Sequence, residues 1–182
     1  ELQVPISIDT NKGVVAEKAL QAGAHIVNDI WGLQKDPLMA EIAAKYNAGV
    51  IIMHNKVDRL YDDLMGEIKE FLKKSINIAR KAGIGANSIV VDPGIGFGKT
   101  FEHNIEVMRR LSELKVLDFA MLLGISRKSF IGQILDLPVS ERIEGTAAAA
   151  ALGVAAGADI IRVHDVRKMC RVAKVADAVT RS

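Results

Sequence analysis

Asp92 opens the run Asp92-Pro93-Gly94-Ile95-Gly96-Phe97-Gly98-Lys99-Thr100, which sets one carboxylate at the mouth of a short β-branched stretch and follows it with a glycine-spaced turn. Ser88 to Val91 reads as a strand, and Pro93 ends it by withdrawing a backbone donor. The alternating glycines permit backbone angles closed to other residues and let a ligand come close to the main chain. Two phosphate-binding motifs are excluded. A P-loop needs glycine where Pro93 stands, and the dinucleotide fingerprint needs a third glycine where Lys99 stands.

Further polar residues of the same kind are spread along the chain. Asp9, Asn28 and Asp92 together offer two carboxylates and an amide to a flat ring with polar edges. A carboxylate accepts two parallel N–H bonds from an amidine-like edge, as in a pterin or guanine. Arg162 and His164, two apart on one expected strand, project to the same side. A guanidinium there can stack on a ring face and grip a phosphate. Ser126 to Phe130 reads as a helix start, where backbone N–H groups and the helix dipole favour a carboxylate or phosphate. Taken singly, each of these residues is a strand-end cap or a turn former.

The elements that must position them recur about every 30 residues: an apolar run, a polar residue, a turn, then a helical stretch. Expected strands are Val4 to Ile8, Ala24 to Val27, Gly49 to Met53, Ser88 to Val91, Ala120 to Gly124 and Ala158 to Val163. Helices are expected at Val14 to Ala22, about Pro37 to Tyr46, along Leu64, Ile68, Leu72, Ile76 and Ala79, along Ile105, Met108 and Leu111, at Thr146 to Ala156 and from about Val166 to Val179. Serial β-then-α units mean a parallel sheet, because parallel neighbours need a crossover that a helix supplies. A (β/α)8 barrel needs eight units and roughly 250 residues, whereas six strands suffice for a doubly wound sheet. In either architecture Asp9, Asn28, His54-Asn55, Asp92, Lys128, Arg162 and His164 gather at the carboxyl ends of the strands.

With 182 residues, 49% hydrophobic and only 4% aromatic, the chain has material for one aliphatic core, and residues 1–182 read as one domain. A net charge of +2 with both signs interspersed gives no case for a nucleic-acid partner. No apolar run reaches membrane-spanning length, and Gln3, Ser7 and Asp9 break up the N-terminal residues, so a cytoplasmic protein is expected. The single Cys170 rules out an internal disulfide and reads as a packed, inert thiol.

Along most of its length the chain resembles the bacterial dihydropteroate synthase family. The likeness rests on Ile6-Ser7-Ile8-Asp9-Thr10, Val27-Asn28-Asp29-Ile30-Trp31-Gly32, Met53-His54-Asn55, Asp92 to Thr100, Ser126-Arg127-Lys128-Ser129-Phe130 and Arg162-Val163-His164-Asp165-Val166, in the family's order. The resemblance implies a TIM-type (β/α)8 barrel of which this chain covers roughly units 3–8, an N-terminally incomplete domain that leaves Val4 to Ile8 as an open edge. It also implies a transferase of folate biosynthesis, joining 6-hydroxymethyl-7,8-dihydropterin diphosphate to 4-aminobenzoate.

Carried over by position, Asp9, Asn28, Met53, Asp92, Lys128 and Arg162 are expected around the pterin, and Arg162 with His164 at the diphosphate. Phe97, Arg127 and Ser129 are expected at 4-aminobenzoate, Phe97 and Ser129 also belonging to the family's sulfonamide site. Lys128, Arg162 and His164 carry the catalytic expectation. Mg²⁺ is the implied cofactor, with no metal ligand in this chain, because the family's asparagine for that site precedes the matched motifs. A homodimer through the last helices follows from the resemblance alone. Two other readings remain: the pterin-binding domain of a corrinoid methyltransferase, which shares the acidic and amide set, and a fragment that folds without turnover. His25, His103 and Trp31 read as packing or surface groups, and no role is assigned to His54.

Overall fold

The computed structural model describes residues 3–181. It contains one sheet of six parallel strands whose spatial order is their order in the chain: β1 (Ser7–Asp9), β2 (Ile26–Asp29), β3 (Gly49–Met53), β4 (Ile89–Asp92), β5 (Ala120–Gly124) and β6 (Ile160–Arg162). Parallel neighbours cannot be joined by a tight turn, and every crossover carries a helix. These helices are α1 (Gly13–Gln21), α2 (Leu38–Lys45), α3 (Leu64–Lys81), α4 (Phe101–Arg109), α5 (Ser129–Leu135) and α6 (Ile143–Ala155), with α7 (Val166–Thr180) after β6.

A doubly wound sheet reverses its strand order partway, whereas this sheet never does, which is the progression of a (β/α)8 barrel. Curvature follows from a single hydrogen bond. Arg162 on β6 donates to the Asn28 side chain on β2 at 2.8 Å, although the two strands lie four apart in the sheet. In a flat sheet that separation is roughly 19 Å, more than the two side chains span. The strands therefore form an arc, six of a barrel's eight, and β1 and β6 are its edges. Its concave side holds a cleft of about 760 Å³ bordered by Ser7, Asp9, Asn28, Ile51, Leu122 and Arg162. Ser7 and Asp9 share that face because side chains two apart on a strand point the same way.

The core lies between the convex face and the helices. On α3, Leu64, Ile68, Leu72, Ile76 and Ala79 form a buried stripe, as their spacing requires, and the Asp63 carboxylate caps the helix by accepting from Gly66 N–H at 3.0 Å. Each Leu or Ile buried in this way contributes roughly 1.5–3 kcal/mol. On the central strands Ile52, Val91 and Leu123 are fully buried.

Departures from the expected bounds concentrate at the edges of the arc. Val4 to Ile8 shortens to Ser7–Asp9, and Ala158 to Val163 to Ile160–Arg162, since an edge strand has a pairing partner on one side only. Val4 and Ile6 are exposed, as expected of an open edge. The helix expected along Ile105, Met108 and Leu111 stops at Arg109, and Leu111–Leu117 is a separate 3₁₀ helix closed by Asp118 at φ 59°. Cys170 corrects its expectation: it is exposed on α7, because its face borders the open cleft rather than the core. Among the described residues no helix is long and apolar enough to cross a membrane.

Candidate active site

The expected residues converge on the carboxyl-end rim, where β-register aligns Asp9 with Asn28 and Met53 with Asp92. Arg162 is the hub. Its guanidinium donates to Asn28 Oδ1 at 2.8 Å and to Asp92 Oδ2 at 2.9 Å. Gly124 is its register partner on β5, and a Cβ there would lie 2.7 Å from Arg162 Nη2, so only glycine leaves the guanidinium its place. Asn28 and Asp92 are buried, while Asp9 is exposed on the same cleft.

Both oxygens of Asp92 accept hydrogen bonds, Oδ1 from the Gly94 N–H at 2.8 Å and Oδ2 from Arg162, which is the bonding pattern of the anion. Burial pushes its carboxyl up; Arg162 opposes most strongly, then the Gly94 N–H, Lys128 and Lys99. Met53, fully buried at the end of β3, packs against the turn that follows Asp92.

That turn explains the glycine spacing. Gly94 sits at φ 71°, and any Cβ would strike the carbonyl oxygen of His54, so the main chain of the turn lies directly on the end of β3. Phe97 is held on the open side with the Lys128 ammonium 4.5 Å from its ring centroid, within cation–π range. Lys128 is half-buried, and burial lowers its pKa against the attraction of Asp92.

Around β5 and β6 the geometry refines the expectations. His164 lies two residues beyond the end of β6, not on the strand with Arg162 as expected, and its Nδ1 is 2.8 Å from Ser126 Oγ. Arg127 adopts φ 56° and pairs bidentately with Asp165 at 2.8–3.1 Å, fastening the turn after β5 to the one after β6. Ser129 is exposed at the first position of α5.

Three residues escaped the sequence reading. Asp29 is fully buried and shapes the turn after β2 by accepting from Trp31 and Leu33 N–H groups at 2.9 and 2.8 Å. Asp165 and Lys99 stand inside quoted motifs, yet local pattern assigns them no partner. His54, left without a role, is buried with Lys99 Nζ 2.9 Å from its Nδ1. His103 caps α4 reciprocally with Thr100, and His25 is exposed just before β2 rather than inside it. Among the described residues no group of three or more His, Cys, Asp or Glu side chains is arranged to hold a metal ion.

Comparison with known proteins follows the same outline. The family described as "Pterin binding enzyme" matches residues 1–164. The chain is 49% identical over 179 residues to the dihydropteroate synthase of Bacillus subtilis, an alignment covering 98% of this chain and 63% of that protein. It is similar to the dihydropteroate synthase of Clostridium difficile crystallised in the presence of pteroic acid, with 52% identity, a TM-score of 0.97, and coverage of 100% of this chain and 69% of that one. A Thermus thermophilus dihydropteroate synthase in complex with 4-aminobenzoate is 38% identical with a TM-score of 0.91, covering 97% of this chain and 71% of that one. The chain thus spans about two thirds of the length of these relatives.

Proposed function

The chain belongs to the pterin-binding enzyme family, and from that premise we propose that it forms the substrate-binding arc of a dihydropteroate synthase. The observation that carries the reading is the Asn28–Arg162–Asp92 bridge. A planar cationic fork lies across two acceptors of the kind that a pterin's N–H edge would use. On binding, Asn28, Asp9 and Asp92 would hold the pterin edges, Met53 would pack against the ring, and Lys128 would reach the N5 and carbonyl side. Arg162, released, would stack on the ring and with His164 hold the diphosphate. Phe97, Arg127 and Ser129 would frame 4-aminobenzoate, Arg127 as a wall already fixed by Asp165.

In this reading the C–O bond to the diphosphate breaks, its electron pair leaving with the diphosphate towards Arg162 and His164. Positive charge on the methylene spreads into the pterin ring until the aniline nitrogen attacks and sheds a proton. No side chain acts as a nucleophile. Catalysis consists of positioning and of stabilising the leaving anion. Mg²⁺, implied by the resemblance, finds no protein cage among the described residues, and no step here runs through it.

A second copy of the chain and a cytoplasmic setting belong to the same reading. An apolar groove of about 650 Å³ between α4, α5 and α6, with Ile134 and Leu152 exposed along it, supports the first. The exposed thiol of Cys170 suits a reducing compartment. The corrinoid-methyltransferase reading leaves the Ser126-Arg127-Lys128-Ser129 turn and the Arg162/His164 pair without an anion to serve.

The test is dihydropteroate formation from 6-hydroxymethyl-7,8-dihydropterin diphosphate and 4-aminobenzoate with Mg²⁺. Product above the protein-free rate supports the synthase. Pterin binding without product supports the fragment that folds but does not turn over, and neither binding nor product refutes the assignment.

A further inference from the structure

Lys99 is the one cation of the glycine-rich run, and its side chain is buried beneath the turn. Its Nζ lies 2.9 Å from His54 Nδ1, 3.0 Å from Gly94 O and 3.1 Å from Phe97 O. Three donors thus meet three acceptors, the full capacity of an ammonium group. Two of these acceptors belong to the turn, and the third stands at the end of β3. With Lys99 as the ammonium, which can only donate, the neutral His54 ring accepts at Nδ1 and carries its proton on Nε2, and the imidazole packs at a steep angle against Phe71 with centroids 5.0 Å apart. Tyr61 adds an outer tether, its hydroxyl donating to Gly98 O at 2.6 Å. A turn with three glycines has several accessible conformations. The Phe97 N–H donates to Gly94 O at 3.0 Å and the Gly96 N–H to Asn104 Oδ1 at 2.7 Å, and Lys99 adds the bonds that fasten the turn so formed to the end of β3.

We infer that Lys99 is a positioning residue: its ammonium clamps Gly94 and Phe97 to His54 and thereby sets the Phe97 wall against which the second substrate packs. This rests on the reading of the site as a synthase, in which Phe97 borders 4-aminobenzoate. The buried amine has its pKa lowered to about 7 by burial, against the pull of Asp92, which fits a group retained for its geometry at a cost in solvation. It touches no substrate and takes no part in bond breaking.

Lys99→Met keeps the unbranched apolar stem of the side chain and removes all three donors. With the clamp lost, amide hydrogen exchange across Gly96 to Gly98 should accelerate by roughly tenfold or more while exchange in α3 stays at the wild-type rate. In turnover, the KM for 4-aminobenzoate should rise by roughly tenfold, with the pterin dissociation constant within about twofold of wild type. That split separates positioning from general destabilisation, which would weaken both substrates together. Unchanged exchange in the turn, or equal losses for both substrates, overturns the clamp. Should Lys99→Met fail to fold, His54→Leu removes one acceptor and leaves the amine; faster exchange in the turn then supports the clamp and wild-type exchange overturns it. Hydrogen exchange is read without ligand, so a wild-type chain that neither binds pterin nor forms product would refute the synthase reading alone.

Discussion

Arg162 Nη2 donates to Asp92 Oδ2 at 2.9 Å, joining the end of β6 to the end of β4 across 70 positions of sequence. The Arg162 side chain is 41% exposed and that of Asp92 1%, so a buried acceptor is satisfied by a donor that can swing into solvent. In the proposed synthase reading, a ligand bringing its own N–H edge would take over Asp92 and free Arg162 for the ring or its diphosphate.

Arg162→Ala should therefore separate two ligands. A pterin bearing diphosphate should bind about 10- to 100-fold more weakly, the loss of one charged hydrogen bond of about 1.5–3 kcal/mol. Bare pterin should lose far less, because the lost stacking on the ring is offset by a bridge to Asn28 and Asp92 that no longer has to be broken. Isothermal titration with both ligands decides it, and equal losses would refute the role of Arg162 at the diphosphate.

Asp92→Asn replaces an acceptor by a donor where the pterin would also donate, and it sets that amide against Arg162 and the Gly94 N–H. Affinity for bare and diphosphate-bearing pterin should fall together, by roughly tenfold or more. Unchanged pterin affinity by fluorescence titration would sink the assignment of Asp92.

Asp165→Ala removes the partner that holds Arg127, whose side chain is only 32% exposed. Losing this pair should lower stability by about 1–2 kcal/mol, a fall of several degrees in Tm for a chain of this size. The freed turn after β5 should also raise the KM for 4-aminobenzoate, and scanning calorimetry beside steady-state kinetics checks both.

Stability should depend on pH through Lys99 and His54. For Lys99, burial and Lys128 lower the pKa from 10.5 to about 7 against the pull of Asp92. Between those values the unfolded chain binds a proton that the folded chain has released, so stability should rise with pH across that window and level off below it. For His54, burial, then Lys99 and Lys56, lower the pKa from 6.5 to about 3. Its contribution should be complete above pH 6.5 and disappear as pH falls towards 3. Urea midpoints from pH 4 to 10 test both slopes: Lys99→Met should abolish the upper one, and a flat wild-type profile above pH 7 would refute it.

Much of the fold was legible without coordinates, for a physical reason that differs between elements. Gly49–Met53 and Ala120–Gly124 match their expected bounds because a central parallel strand is buried on both faces and reads as an unbroken apolar run. The face of α3 was equally plain, since one buried stripe imposes a 3.6-residue period. Edge strands carry no such signature, and β1 and β6 came out shorter than expected.

Residue types and the serial β-then-α order by themselves determined that Asp9, Asn28, Asp92 and Arg162 would share one rim, because parallel strands joined by helices all end on the same side. Tertiary structure alone decided the pairing within that rim. Arg162 reaches Asn28 only because the sheet curls, Arg127 finds Asp165 only because two turns adjoin, and Lys99 points inward only because the glycine turn folds back onto β3. Each contact joins segments whose separation is set by curvature and packing of the whole arc, quantities that no local pattern of side chains encodes.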